Sequence, residues 1–245
     1  MQKERLDKIL SNLGFGTRME VKRAILAGYV SVNDIVTKDS GKKCSLQDKI
    51  EIHGETLERK EFYYFMMNKA PDCITATEDS KAKTVIDYLS EKHQKMNLFP
   101  VGRLDKETEG LLILTTDGVW AHQYTSPKHL IEKEYYAEID GEVTEADIQH
   151  FSSGVQLDDG YTTLPARLSI ESVTNGTSKV KVWLKEGKYR QIRRMFTSLG
   201  KEVTYLKRIR MGVIQLDVNL PIGSYREFSE EEFLLVQNEK NQSKS

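Results

Sequence analysis

Apolar and polar positions follow two rhythms along this chain, and their order predicts two unequal parts. Leu6, Ile9, Leu10 and Leu13 keep the spacing of one helical face, which Gly14 and Gly16 interrupt. Thr17-Arg18-Met19-Glu20 has the form of a capping box and predicts a second helix that buries Val21, Ala24 and Ile25 and stops at Gly28. Short strands are expected over 29–32 and 49–52. The charged run Glu58-Arg59-Lys60-Glu61 reads as a linker. Beyond it, a strand ends at Asn68-Lys69-Ala70-Pro71, and strand-like runs recur over 111–115, 134–139, 166–173, 178–184, 203–206 and 211–218. Helical candidates lie between some of them, over 84–92, 144–152 and 191–199. Many strands with few helices predict an α+β class, with a mostly antiparallel sheet in the larger part. The expected boundaries are 1–58, 62–236 and a polar, disordered tail over 237–245.

Composition adds limits. Hydrophobic residues are 38% and charged ones 30%, enough apolar side chains for a real core in a soluble chain of 245 residues. The longest apolar runs resemble Leu111-Leu112-Ile113-Leu114, too short to span a bilayer, and the charged start lacks the apolar core of a signal peptide. Cys44 and Cys73 have no metal-type spacing, so a reduced cytoplasmic chain without a membrane partner is expected. The net charge is −1, yet residues 185–210 hold nine Lys or Arg against two Glu. A neutral chain with one strongly basic segment predicts a local surface for a polyanion.

The segment most suggestive of chemistry is 102–118, where Asp105, Glu107 and Glu109 precede a buried strand closed by Asp117-Gly118. Catalytic groups favour loops held by rigid strands. By themselves these acids fit a metal site, an acid/base pair or a plain solvated loop. Downstream, strand periodicity puts Lys133, Tyr135, Ala137 and Ile139 on one face, so Tyr135 points with apolar neighbours, as a core tyrosine also would. In the helix after Gln191, the stripe Ile192, Met195, Phe196 and Leu199 turns inward. That leaves Arg190, Arg193 and Arg194 around the other side, as a solvated face or as a site for carboxylate or phosphate.

Two resemblances choose among these readings. The order helix, helix, strand, turn, strand over the first 60 or so residues, including 31–52, resembles the S4 RNA-binding domain. It implies that Arg18, Lys22 and Arg23 on the second helix lie against RNA phosphates. Residues 102–118 resemble the signature loop of pseudouridine synthases of the RsuA branch. Glu132-Lys133-Glu134-Tyr135, the run 186–195 and Arg208-Ile209-Arg210-Met211-Gly212 follow in that family's order. The resemblance implies a catalytic domain of that type in which Asp105 is the nucleophile, Tyr135 receives the target base and Arg193 pairs with the aspartate. Arg103, Lys133, Arg190, Arg194, Arg208 and Arg210 would contact RNA. Residues 154–168 and 220–232 look more like the small-subunit enzyme than its large-subunit relatives, which implies 16S rRNA or its assembly intermediate as partner and a monomeric enzyme.

The implied reaction breaks the bond from uracil N1 to the ribose, turns the base and rejoins it through C5. It has no redox step, so no cofactor and no metal are expected. An ionised carboxylate can add covalently, at the sugar or at the ring, and divide one hard step into two. A neighbouring arginine favours its charged form, and an aromatic platform can receive a uridine flipped from the stack. Dinucleotide-loop, Walker, HExxH and GxSxG patterns are all missing. Two other classes compete: an inert S4-type RNA-binding protein, which a single-turnover assay on rRNA would separate, and a metal-dependent phosphoesterase, which EDTA would reveal.

Overall fold

The computed structural model describes residues 3–242, and for the last two of these the backbone alone. It divides into two compact units. The first takes in the described residues up to Tyr63 together with Ile86–Phe99, and the second holds Tyr64–Val85 and the described residues from Pro100 onward.

The first unit begins with β1 (Glu4–Arg5), α1 (Leu6–Asn12) and α2 (Arg18–Leu26). The expected capping box forms: Thr17 N donates to Glu20 Oε2 at 2.7 Å, and Glu20 N to Thr17 Oγ1 at 3.3 Å. Strands β2 (Val30–Val32), β3 (Ile35–Val36), β4 (Lys43–Cys44), β5 (Ile50–Ile52) and β6 (Glu55–Thr56) follow. They make a sheet of order β3-β2-β5-β6, while β4 pairs with β1. Two-residue turns close its hairpins at Asn33-Asp34 and His53-Gly54, all four residues with positive φ, which matches the twist of the flanking strands. Leu6, Leu10, Val21, Ile25, Val30 and Ile50 form the core.

Residues 84–92 do not make the expected continuous helix. A 3-10 turn at Ile86–Tyr88 is followed by the short α3 (Glu91–Gln94), because Ser90 takes an extended N-cap conformation and its hydroxyl accepts from His93 N. This segment packs with the first unit. Asn97 Nδ2 donates to Asn12 Oδ1 at 2.7 Å, and Gly14, at φ +83°, lies so close to the Lys92 carbonyl that a Cβ would collide with it.

The second unit contains β7 (Tyr64–Lys69), and the chain re-enters it through β8 (Phe99–Pro100). Then come β9 (Glu109–Thr115), α4 (Gly118–Thr125), β10 (Lys133–Asp140), α5 (Glu145–Ser153), β11 (Arg167–Thr174) and β12 (Thr177–Leu184). The last elements are α6 (Gln191–Ser198), β13 (Glu202–Met211), β14 (Ile214–Gln215), β15 (Tyr225–Glu227) and α7 (Glu230–Gln242). The large sheet runs β11-β12-β10-β13-β9-β7-β15. Along this path only β13 and β9 are parallel, so the mostly antiparallel α+β reading holds. β7 is buried at every position, whereas β12 alternates and sends Val180, Val182 and Leu184 to a core shared with Phe151 of α5 and Phe196 of α6.

Three expectations need correction. The runs 203–206 and 211–218 are not separate strands: β13 continues through Lys207-Arg208-Ile209-Arg210 because β10 pairs along it, with register shifts at Glu134/Tyr135 and Glu138/Ile139. Asp117-Gly118 is not only a turn, since the Asp117 carboxylate accepts from Trp120 N at 3.0 Å and opens α4. The polar end is helical through Gln242 rather than disordered from residue 237. Val236 is fully buried, and the Lys240 ammonium pairs with the buried Asp117 carboxylate and donates to Tyr64 Oη. Residues 243–245 lie outside the described residues.

Candidate active site

Asp105 sits in the loop that feeds β9, and the loop is fixed on both sides of it. Thr75 Oγ1 donates to Leu104 O at 2.7 Å and accepts from Leu104 N at 3.1 Å. Lys69, the fully buried last residue of β7, donates to the carbonyls of Ala70, Lys106 and Thr108 at 2.9, 3.1 and 3.0 Å. At the exit Gly110, with φ +101°, faces the Arg208 backbone so closely that any Cβ would clash. Only glycine allows β9 and β13 to pair there.

Within this frame the half-buried Asp105 carboxylate takes no hydrogen bond or ion pair from the described residues. Its charge acts on two cations, the buried Lys69 and the partly buried Arg193. Burial pulls Lys69 below the ordinary lysine value, against the charges of Cys73, Asp105, Glu109 and Glu107. Burial likewise lowers Arg193, helped by the neighbouring Arg190 and opposed by Glu107 and Asp105. A carboxylate left without a partner is unobstructed as a nucleophile.

The expected direct pairing of Arg193 with Asp105 is not formed. Arg193 Nη1 donates instead to Val203 O at 2.6 Å, and its Nε is buried without a partner. Tyr135 is half-buried against the α5–α6 core, opposite Val182 on β12 and Arg208 on β13.

The basic residues expected to hold RNA divide by their partners. Arg190 pairs with Glu107 at 3.0 Å. Arg194 is held by Asp158 and Asp159, with Nε 2.6 Å from Asp158. Arg210 reaches Glu132 at 2.6 Å and Glu134 at 3.0 Å. Arg194 and Arg210 are therefore not the open phosphate contacts expected of them, because adjacent loops and strands supply their counter-charges. Arg208 is 3% exposed, its Nε bonded to Leu111 O at 2.8 Å. Lys133 is half-buried without a carboxylate partner, while Arg103 is exposed. On α2, Arg18 and Arg23 are exposed with no ion pair among the described residues, and Lys22 lies 4.0 Å from Asp7.

The four acids of 102–118 do not converge. Glu107 goes to Arg190, Glu109 accepts from Tyr205 Oη at 2.8 Å, and Asp117 is buried with Tyr64 and Lys240. Among the described residues no group of three or more His, Cys, Asp or Glu is placed to hold a metal ion. Lys69 and Thr75 had no assigned role in the sequence, although a lysine ending an apolar strand just before Ala70-Pro71 was a visible signal.

Comparison with known proteins places the chain in a family. Residues 63–198 match the RNA pseudouridylate synthase family, and residues 4–50 match the S4 domain. The chain is 40% identical to an uncharacterised RNA pseudouridine synthase of Bacillus subtilis, YtzG, over 95% of this chain and 98% of that one. It is 37% identical to the ribosomal small subunit pseudouridine synthase A of Vibrio cholerae, over 93% of this chain and 97% of the relative. With the ribosomal large subunit pseudouridine synthase B of Bacillus subtilis it shares 35%, over 94% and 93%. A crystal structure of a pseudouridylate synthase superposes with a TM-score of 0.67 at 32% identity, covering 95% of this chain and 99% of the other. No helix of the described residues is long and apolar enough to cross a membrane. The chain belongs to the RNA pseudouridylate synthase family, in the RsuA-type branch that carries an N-terminal S4 domain.

Proposed function

We propose that this chain converts one uridine of 16S rRNA to pseudouridine, with Asp105 as the covalent nucleophile and no cofactor. The observation that carries this is the Asp105 carboxylate, without a partner among the described residues, in a loop held by Lys69 and Thr75. Covalent addition of Asp105 to the sugar or the ring lets the N1–C1′ bond break without free fragments escaping. The base then turns, the C5–C1′ bond forms, the bond to Asp105 breaks to regenerate the carboxylate, the C5 proton leaves and N1 takes one up. Tyr135 is the platform for the flipped base, with Arg193 turning to the carboxylate once RNA displaces water. Arg103, and Arg190 once it exchanges Glu107 for RNA, would meet flanking phosphates, and Arg18, Lys22 and Arg23 of the S4 domain would grip another part of the RNA. The proposed setting is the cytoplasm and the proposed state a monomer.

The small-subunit target rests on residues 154–168 and 220–232. The similarity to the large subunit synthase B favours a second reading, with 23S rRNA as substrate. Tritium release from C5-labelled uridine in transcribed 16S and 23S rRNA, naked and partly assembled with ribosomal proteins, tests both. Release from 16S alone is expected; release from 23S alone would replace the first reading with the second. Asp105→Asn should reduce release to background while RNA affinity and melting temperature stay near wild type, and Glu107→Gln and Glu109→Gln should stay active. Substantial release by Asp105→Asn would remove covalent catalysis.

A further inference from the structure

Most of the arginines that the sequence gathers in its basic segment are matched inside the protein, Arg190 by Glu107, Arg194 by Asp158 and Asp159, and Arg210 by Glu132 and Glu134. Lys201 likewise meets Asp147 at 2.9 Å. Two cations beside Tyr135 are left without a carboxylate. Lys133 precedes Tyr135 by two positions on β10, so both side chains leave the same face. Arg208 stands opposite Tyr135 across the β10–β13 pair.

Both sites are costly as they stand. Arg208 is 3% exposed, and its Nη2 is buried with no partner at all. Lys133 makes no hydrogen bond or ion pair with the described residues. Buried charges in proteins are ordinarily paired, since an unpaired one loses its hydration and gains nothing. Here the two nearest charges repel. Burial and the Arg208 charge push the Lys133 ammonium down to about 8. Glu186, in the turn after β12, is the attractive charge that faces it, and Glu186 is already taken up by Tyr161 Oη, Leu164 N and Gln191 Nε2. The nearest acids along β10, Glu132 and Glu134, are both engaged by Arg210.

We infer that Lys133, with Arg208 fixed behind it, is the subsite for one backbone phosphate of the RNA beside the nucleotide received by Tyr135. A phosphodiester there supplies the missing negative charge. Lys133 makes the contact from its partly open position, and Arg208 acts as a buried fixed charge beneath it. This deepens the reading of the site as one for a flipped uridine in rRNA and rests on that reading.

The subsite couples binding to a proton. In the free protein Lys133 loses its proton as pH rises through about 8, and only the charged form matches the phosphate. Binding of rRNA by the wild type should therefore weaken above that pH, more steeply than in a variant without the group. The experiment is filter binding of transcribed 16S and 23S rRNA to the full chain, across a salt series and a pH series, for wild type, Lys133→Met and Lys133→Arg. Lys133→Met should bind roughly five- to tenfold more weakly near 0.1 M salt, with a salt slope smaller by about 0.7–0.9, the loss of one phosphate contact. Its melting temperature should hold or rise, because a repelled cation has gone. Lys133→Arg should keep affinity and salt slope at neutral pH and lose the weakening at alkaline pH, since a guanidinium does not titrate there. An unchanged salt slope in Lys133→Met, or the same alkaline weakening in Lys133→Arg, would overturn the inference while wild-type tritium release kept the activity intact. Failure of the wild type to bind or turn over either rRNA would instead remove the reading beneath it.

Discussion

The Lys69 ammonium lies wholly inside the protein and donates to three carbonyls, two of which belong to the loop around Asp105. Its first role is therefore to position the loop, with its charge acting on Asp105 from behind. Lys69→Met would leave these carbonyls without their donor, at about 1–3 kcal/mol for each one that water cannot reach. The expected result is a lower melting temperature and a lower single-turnover rate, with rRNA affinity close to wild type. An unchanged single-turnover rate would show that the loop holds its shape without Lys69. Arg193 is the second cation whose charge Asp105 feels. Arg193→Ala should lose most turnover and Arg193→Lys should keep part of it, because charge survives when the fork geometry is lost. Wild-type turnover by Arg193→Ala would make Arg193 a structural residue, tied only to Val203 O.

At the scale of elements, α7 is tied to the start of α4 through a buried carboxylate. The Asp117 carboxylate accepts from Trp120 N at 3.0 Å and Tyr64 Oη at 2.7 Å, and Lys240 of α7 pairs with it. Burial works to raise the Asp117 pKa, but Lys240, the Trp120 amide and the Tyr64 hydroxyl together hold it below the ordinary carboxylate value. The folded value is lower than the unfolded one. This stabilisation is thus complete above the ordinary carboxylate range and disappears as pH falls through the lowered value. Lys240→Met should destabilise by about 3–5 kcal/mol, because it leaves a buried charge without its cation. Thermal melts over a pH series should show a smaller acid-side loss of stability than in the wild type, because without Lys240 burial raises the folded value of Asp117 towards or above the unfolded one. Equal melting curves would mean that α7 is not held by this pair. In the same way Arg194 ties α6 to the loop carrying Asp158 and Asp159.

At the scale of the whole molecule, the proposed RNA contacts fall on both units. Arg18 and Arg23 on α2 are exposed and unmatched by acids, and Lys22 is loosely placed beside Asp7. Replacing all three with glutamine should lower the salt slope of rRNA binding by about two, since each open cation releases close to one counterion. The rate at saturating RNA should remain. A salt slope equal to that of the wild type would mean that this face of the S4 domain does not touch phosphate. Substitution is a cleaner test than deletion of residues 1–58. Ile86–Phe99 packs with the first unit through Gly14 and Asn12, and deletion would strip it of its partners.

Local patterns in the sequence determined much of this protein. The capping box at Thr17, the alternation along 134–139 and 178–184 and the apolar stripe of 191–199 depend on neighbours a few positions apart, and all of them form as read. The segment 102–118 was distinctive enough to place the nucleophile candidate and the family. What the sequence could not state was which charges face one another across the fold. Nine basic residues over 185–210 looked like one RNA surface. Yet Arg190, Arg194 and Arg210 find acids from Glu107 to Asp158, 36 to 83 positions away. The helical end at α7 was equally hidden, because its stability comes from Asp117 and Tyr64 more than a hundred positions earlier. Hydrophobic period is a local property of a chain, while the pairing of charges is decided only when sheet order brings distant strands together.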